Sequence, residues 1–134
     1  MRGVFSIRIN KFMPPLRILL VDDSLSFLES ATRFLSGEAY LEIVGRAFSG
    51  GEALEQVSRL RPDLVLMDLA MPGMNGLEAT RRIKMQPDAP RVVVLSLNDS
   101  NQYRIAAEAV GADGFVAKSE FSTELLTLIS GLIG

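Results

Sequence analysis

The sequence contains no cysteine and no histidine among its 134 residues. Their absence excludes disulfides, zinc sites of the usual type, cysteine nucleophiles and every catalytic triad that uses histidine. No apolar run reaches the ~18 residues that a membrane span needs, and the N-terminus lacks the layout of a signal peptide. We therefore expect a cytoplasmic protein with no membrane segment.

Strong net charge is also lacking, because 14 basic residues stand against 16 acidic ones and give −2. This balance is too mild to indicate direct nucleic-acid binding through bulk electrostatics. Hydrophobic residues make up 48% of the chain and charged residues 22%, which is typical of a globular protein. The length fits one domain of ordinary size.

The first residues, MRGVFSIRINKFMPPL (1–16), differ from the rest in being basic and ending in two prolines. Proline interrupts regular secondary structure. We therefore expect a flexible N-terminal leader at 1–15, with a short edge strand as the alternative, and one folded domain at 16–134.

From Arg17 onward, short apolar runs alternate with stretches of helical spacing. The five runs cover residues 18–21, 41–48, 64–67, 92–97 and 114–117. Continuous apolar runs are typical of strands buried on both faces. Strands that alternate with single helices predict an α/β fold, a doubly wound parallel sheet with helices on both sides.

Residues that commonly cap helices precede four of the predicted helices: Ser24, Asn75, Asp99 or Ser100, and Ser122. Glu78 stands three residues after Asn75, as in a capping box. Apolar spacing points Leu25 of the first helix and Ile105 of the fourth toward the core.

Polar residues end most of the predicted strands. Asp22 and Asp23 follow the first run and Asp68 follows the third, while Ser96 lies near the end of the fourth and Lys118 follows the fifth. Functional groups of open α/β sheets collect outside the carboxyl ends of the strands. The sequence therefore predicts that these five residues meet at one rim.

Three carboxylates spaced ~5 Å apart repel by roughly 3 kcal/mol per pair at an effective dielectric near 20. One lysine does not offset that repulsion, but a divalent cation does. Oxygen ligands without histidine or cysteine favour Mg²⁺, with Mn²⁺ as the alternative. With a cation present, one carboxylate becomes a candidate phosphoryl acceptor, and Lys118 and Ser96 become candidate partners of the phosphate oxygens. Each residue alone is common at turns and surfaces, so the interpretation depends on their conjunction.

Four segments carry a family resemblance: VDDS (21–24), VLMDLAMPGMNGLEATRRIK (65–84), VVVLSL (92–97) and GADGFVAKS (111–119). In this order and spacing the chain resembles a response regulator receiver domain of bacterial two-component signalling. The resemblance implies the CheY-like (βα)5 fold, with a parallel sheet in the order 2-1-3-4-5.

The resemblance also implies residue roles. Asp68 matches the phosphoacceptor, and Asp22 and Asp23 match the acidic pair that binds Mg²⁺ together with Asp68 and the backbone carbonyl of Ala70. Ser96 matches the switch hydroxyl, Phe115 the switch aromatic and Lys118 the phosphate-contacting lysine. A sensor histidine kinase is the implied partner. The chain is then a phosphoacceptor rather than an enzyme, apart from slow autophosphorylation from small donors and autodephosphorylation.

The segments GLEATRRI, EIVGRAFSGGEAL and ELLTLISGLI are similar to the NarL/FixJ-type branch, whose members usually continue into a helix-turn-helix domain. We therefore expect the face formed by the fourth helix, the fifth strand and the fifth helix to control transcription through a DNA-binding domain absent from this chain. The alternative is a stand-alone receiver that acts in a phosphorelay or by protein–protein binding. A phosphorylation-dependent homodimer through a face carrying Tyr103, Phe115 and Leu125 is a further hypothesis.

The chain departs from the family at Ser119, which replaces the proline that often follows the lysine. This favours a trans bond, because a cis non-proline bond costs about 3–4 kcal/mol.

Three rival functions remain. A haloacid-dehalogenase-type phosphohydrolase has Asp-x-Asp after its first strand, where this chain has Ser24. A flavin or nucleotide binder has a phosphate-cradling loop there, where this chain has two acids. A pseudo-receiver binds partners without phosphorylation.

Overall fold

The computed structural model of the protein describes residues 14–71, 73–98 and 100–133. Residues 1–13 of the predicted leader and the cap candidate Asp99 lie outside the described residues. Strands and helices alternate in the order β1 Leu16–Val21, α1 Leu25–Ser36, β2 Leu41–Ala47, α2 Gly50–Leu60, β3 Leu64–Asp68, α3 Gly76–Lys84, β4 Arg91–Ser96, α4 Asn101–Ala109, β5 Gly114–Ala117 and α5 Phe121–Ile133. A single 3-10 turn at Lys118–Glu120 joins β5 to α5.

The five strands form one parallel sheet in the order β2-β1-β3-β4-β5. The predicted fold class and strand order are therefore confirmed. In this order the first strand lies beside the third, so the chain reverses direction across the sheet between β1 and β3. That reversal opens a crevice at the carboxyl ends of these strands, the usual place for a ligand site in such folds.

Helices cover both faces of the sheet. On one face, α1 and α5 bury residues such as Leu35 and Ile129 against alternate strand residues. On the other face, α2, α3 and α4 pack against the remaining strand residues. Because both faces are covered, every residue of β3 is buried. The edge strand β2 differs from the prediction: Glu42 and Arg46 are exposed, since among the described residues no strand flanks it on its outer side.

Three of the predicted caps accept hydrogen bonds at the helix starts. Ser24 Oγ accepts from Phe27 N, Asn75 Oδ1 from Glu78 N and Ser100 Oγ from Tyr103 N. The prediction for Ser122 is wrong, because the 3-10 turn already winds the chain and α5 begins at Phe121.

The predicted capping box at Asn75 is half formed. The Glu78 carboxylate binds Arg81 at 2.6 Å and Arg82 at 2.7 Å instead of reaching back to the helix start. Two cations one turn along the helix outcompete a single backbone amide for this exposed carboxylate.

Three apolar residues face the opposite way from the prediction. Ile105 is 57% exposed, because α4 packs on the sheet through Ala107, about 200° further around the helix. Leu25 is 52% exposed at the first position of α1. Leu125, by contrast, is completely buried in the core. The hypothesis that Leu125 contributes to a dimer face is therefore wrong.

Candidate functional site

Three carboxylates meet at the carboxyl end of the sheet. Asp22 and Asp23 follow β1, and Asp68 ends β3, which pairs with β1. Each residue offers a carboxylate oxygen, and these oxygens all lie within 4.8 Å of one another. Asp22 is 1% exposed and Asp68 4%, whereas Asp23 faces solvent. The structure thus brings the three predicted acids together and removes two of them from water.

Lys118 supplies a positive charge to these acids. Its Nζ donates to Asp22 Oδ2 at 2.5 Å and lies 3.1 Å from Asp68 Oδ1. The same Nζ lies 4.4 Å from the centroid of the Phe27 ring, whose negative face also attracts the cation. Because Lys118 enters from the end of β5, it bridges acids that belong to two other strands.

The start of α1 fixes the orientation of Asp22. Its Oδ1 accepts a hydrogen bond from Ser24 N at 2.8 Å, which leaves Oδ2 for Lys118. Ser24 in turn caps α1 through its hydroxyl. The Asp22 carboxylate is therefore oriented by backbone geometry as well as by its cationic partner.

Ser96 ends β4 beside Asp68 and is 5% exposed. Its Oγ donates to Asn98 O at 2.9 Å and accepts from Asn98 N at 3.0 Å. The hydroxyl is therefore engaged by the backbone of its own loop.

Phe115 is the predicted site residue that lies outside the acidic cleft. It sits on β5, half-buried under α4, and the Arg104 guanidinium carbon lies 4.6 Å from its ring centroid. Asn101, Ile105 and Phe115 line a separate, shallow depression between α4 and β5. Two routes connect the acidic site with Phe115: one along β5, which leads directly to Lys118, and one through Ser96 at the end of β4 and the β4–α4 loop.

One cleft of about 670 Å³ contains the three acids, Ser96, Lys118 and Ala70. Its other walls are largely apolar. Leu69 and Met71 come from the loop after β3, Leu97 from the loop after β4, Leu77 from α3 and Tyr103 from α4. Leu97 is 85% exposed. A cluster of carboxylates beside apolar walls loses part of its hydration, which strengthens the electrostatic interactions within it.

The loop after β3 folds back tightly on Asp68. Gly76 N donates to Leu69 O at 3.0 Å, and a Cβ at position 76 would lie 2.0 Å from Asp68 O. No side chain fits there, so the first residue of α3 has to be glycine for the loop to close. This closure places Ala70 in the wall of the cleft.

The donor set fits a hard divalent cation. Burial and the charge of Asp22 raise the pKa of Asp68 to about 6, even though Lys118 acts in the opposite direction. The cluster is therefore short of positive charge. Carboxylate and carbonyl oxygens are the ligands that Mg²⁺ and Mn²⁺ prefer. The residues that would hold the ion are Asp22, Asp23, Asp68 and, through its backbone carbonyl, Ala70.

The raised pKa predicts that Asp68→Asn stabilises the metal-free fold. The folded-state pKa of about 6 exceeds the ordinary value of 3.8 for an aspartate, so ionised Asp68 opposes folding above pH 6. In EDTA at pH 8 we expect the free energy of unfolding to rise by about 2–3 kcal/mol. The gain should shrink as pH falls through 6 and vanish below about pH 4. Urea unfolding at several pH values measures it, and a gain independent of pH would contradict the assignment.

The fold and the acidic cleft are similar to those of a known protein family. A family model for the response regulator receiver domain matches residues 18–130. The chain belongs to this family. Receiver domains of two-component systems take part in signalling with histidine kinases and bind Mg²⁺ at an acidic pocket, and Asp22, Asp23 and Asp68 form such a pocket here.

Relatives of the receiver domain differ in what the rest of the protein does. The chain is 40% identical over 125 residues to a protein-glutamate methylesterase/protein-glutamine glutaminase of Geobacillus kaustophilus, covering 91% of this chain and 36% of the relative. It is 35% identical over 112 residues to the nitrate/nitrite response regulator protein NarL of Escherichia coli strain K12, covering 84% of this chain and 52% of the relative. The chain thus spans about a third to a half of the length of these curated relatives.

A solved structure supports the same assignment. The signal receiver domain of the response regulator NarL from Mycobacterium tuberculosis superimposes with a TM-score of 0.84 at 30% identity, covering 90% of this chain and 97% of that one. The predicted resemblance to receiver domains, including NarL, is therefore confirmed. The relatives in other signalling proteins show that this resemblance extends beyond one branch.

Some features of the receiver site were missed at the level of sequence. Phe27, which faces Lys118, follows the acidic pair by a few residues but carries no signal of its own in the helical pattern. The apolar walls at Leu97 and Tyr103 come from the loop after β4 and from the first turn of α4, and neither residue was singled out as part of the acidic site. The bond between Lys118 and Ser119 is trans, as expected. In the part of the chain that the structure describes, no helix has the length and apolar character needed to cross a membrane.

Proposed function

We propose that the receiver domain accepts a phosphoryl group on Asp68 from a sensor histidine kinase in the presence of Mg²⁺. The observation that carries this proposal is the Asp68 carboxylate itself, which is buried among two acids and Lys118 yet lines an open cleft. A kinase phosphohistidine can reach this carboxylate through the cleft. The domain is then a phosphoacceptor that returns its phosphate to water slowly, rather than an enzyme with turnover of small substrates.

In the transfer step, one Asp68 carboxylate oxygen forms a bond to phosphorus. The phosphorus–nitrogen bond of the kinase phosphohistidine breaks, and its electron pair leaves with the imidazole. Bound Mg²⁺ supplies positive charge that neutralises the phosphoryl oxygens. Lys118 lies 3.1 Å from Asp68 Oδ1 and can donate to a phosphoryl oxygen. The Ser24 N–H keeps Asp22 oriented throughout.

The new charge then favours a second packing arrangement. Ser96 exchanges its bonds with Asn98 for a bond to the phosphate. The space that it leaves allows Phe115 to turn inward, away from Arg104, which remodels the face formed by α4, β5 and α5. Such a shift needs contacts that differ between the two states, and the phosphate oxygens provide them.

We further propose that this face controls transcription through a DNA-binding domain of the parent protein. The match to NarL over only about half of NarL's length supports this output. The alternative is a stand-alone receiver in a phosphorelay.

With Leu125 buried, a phosphorylation-dependent homodimer would have to use Tyr103, which is 40% exposed, and Phe115. Equal sedimentation with and without beryllofluoride would count against the dimer.

Phosphorylation of the purified chain with acetyl phosphate tests the proposed function. With Mg²⁺ present, we expect intact-mass spectrometry to show the gain of one phosphoryl group, because the ion offsets the repulsion between donor and acids. With EDTA, the gain should fall to background. Equal labelling in the two buffers would remove the metal from the mechanism, and no labelling in either would argue for a binding module that lacks phosphoacceptor function.

A further inference from the structure

Two glycines make close contacts with the backbone at the two ends of the loop between β3 and α3. A Cβ on Gly76 would lie 2.0 Å from Asp68 O, at the start of the loop. A Cβ on Gly50 would lie 2.6 Å from Met74 O and 3.1 Å from Met74 Cβ and Cγ, near the loop's end. Both glycines are buried. The loop is therefore held at both ends by backbone contacts that exist only because these two residues have no side chain.

We propose that Gly50 is a positioning residue for the metal site and sets its preference for Mg²⁺ over larger cations. This inference rests on the proposed function, because it presupposes that the acids bind a metal ion. Gly50 is not among the residues that line the acidic cleft. It acts through Met74 on the loop segment that carries the Ala70 carbonyl.

A side chain at position 50 would clash with the main chain of Met74. The obstructing atom of Met74 is a backbone oxygen rather than the end of a flexible side chain, so an added methyl group at position 50 displaces the main chain. Gly76 holds the start of the loop against Asp68, so the displacement has to be taken up between the two contacts. We expect part of it to shift the Ala70 carbonyl, which lies in that stretch.

The two cations tolerate such a shift differently. Mg²⁺ requires near-ideal octahedral geometry at about 2.0–2.1 Å, whereas Ca²⁺ accepts six to eight oxygens at about 2.3–2.6 Å in flexible arrangements. Displacing one carbonyl ligand therefore weakens Mg²⁺ binding more than Ca²⁺ binding. A fall in the ratio of Mg²⁺ affinity to Ca²⁺ affinity therefore indicates a displaced ligand. A general loss of fold stability would weaken the binding of both ions and would not lower this ratio.

The neighbouring Gly51 provides a matched control. It lies in the same first turn of α2 and is exposed, and a Cβ there would meet no atom within 4 Å. An alanine at 51 raises helix propensity by the same amount as an alanine at 50. Only the contact with Met74 distinguishes the two substitutions.

The experiment titrates the wild-type chain, Gly50→Ala and Gly51→Ala with MgCl₂ alone and with CaCl₂ alone, following the amide resonances of residues 68–71. For Gly50→Ala we expect Mg²⁺ affinity to fall about tenfold and Ca²⁺ affinity by less than about threefold, within the range known for outer ligand-supporting residues. For Gly51→Ala we expect both affinities to stay within about twofold of wild type.

The outcomes separate this inference from the proposed function. If Gly50→Ala keeps the same Mg²⁺-to-Ca²⁺ affinity ratio as Gly51→Ala, the positioning role is overturned while the metal site stands. A Gly50→Ala chain that binds neither cation also overturns it, because its acids are intact and Ca²⁺ binding should persist. If the wild-type chain binds neither ion, the metal site of the proposed function itself fails.

Discussion

Asp68→Asn should reduce phosphoryl incorporation from acetyl phosphate or a cognate kinase to background. Asparagine keeps the size of the side chain but removes the carboxylate oxygen that attacks phosphorus. Asp22 cannot substitute for it, since its two oxygens are held by Ser24 N and Lys118. Incorporation of radiolabelled phosphate, followed by hydroxylamine treatment to release acyl phosphate, measures the effect.

Asp88→Asn is the matched control for this substitution. Asp88 lies on an exposed turn with a positive φ of 56°, a conformation that asparagine tolerates well. It should therefore be labelled like the wild-type chain. Wild-type labelling of Asp68→Asn would identify another residue as the acceptor and would sink the central claim of the proposed function. Loss of labelling in both variants would point to a general folding defect instead.

The meeting of the acids could be predicted from the sequence because parallel strands end at one edge of a sheet. Val21 pairs with Met67 in the register of β1 and β3, so the residues that follow them, Asp22 and Asp68, are necessarily neighbours. Strand ends are marked by a change from apolar to polar residues, which a sequence shows directly. The rim of the site is thus encoded locally, strand by strand.

The contacts that refine the site depend on packing between distant elements. The approach of Gly50 to Met74 depends on how α2 packs beside the loop after β3. The stacking of Lys118 on Phe27 depends on how α1 crosses the end of β5. No local pattern of apolar and polar residues specifies these distances. The sequence therefore predicted the acidic residues of the site but not the packing contacts that position them.

Which face of a helix is buried also depends on packing and not only on the local sequence pattern. In α4, apolar residues occur on several sides, and the one that reaches the core is the small Ala107 rather than Ile105. The apolar spacing predicted that Ile105 faces the core, because large aliphatic side chains are usually buried. The orientation of α4 on the sheet, which the apolar spacing does not specify, decides which of its residues is buried. A weakly anchored α4 is consistent with a proposed role in switching, because elements that move have few buried contacts.

The site balances three carboxylates against one lysine, and that balance defines two jobs for Lys118. Burial disfavours the charged lysine, but the hydrogen bond to Asp22 and the charge of Asp68 outweigh it, so the pKa of Lys118 lies above its usual value. Its Nζ therefore binds two of the carboxylates, Asp22 and Asp68, that would hold a metal ion. It also supplies the positive charge expected to meet the incoming phosphate. The two jobs oppose each other in a measurable way.

Lys118→Met should therefore slow phosphorylation and strengthen Mg²⁺ binding at the same time. Methionine keeps an unbranched stem of similar length but removes the donor, so the rate of labelling by acetyl phosphate should fall about 10²–10³-fold at saturating Mg²⁺. Loss of a cation that competes for Asp22 and Asp68 should raise Mg²⁺ affinity on the order of tenfold. Metal titration and labelling kinetics on the same sample give the two numbers.

Lys84→Met provides the comparison, because Lys84 is also half-buried and ion-paired. It binds Asp113 at 2.8 Å and is the last residue of α3, whereas the first residue of that helix lies against Asp68. It should lose stability without changing either the labelling rate or the Mg²⁺ affinity of the folded chain. If Lys118→Met instead weakened both, its role would be to hold the acids in place. Opposite signs for the two quantities arise only when the lysine competes with the metal at rest and assists the phosphoryl group during transfer.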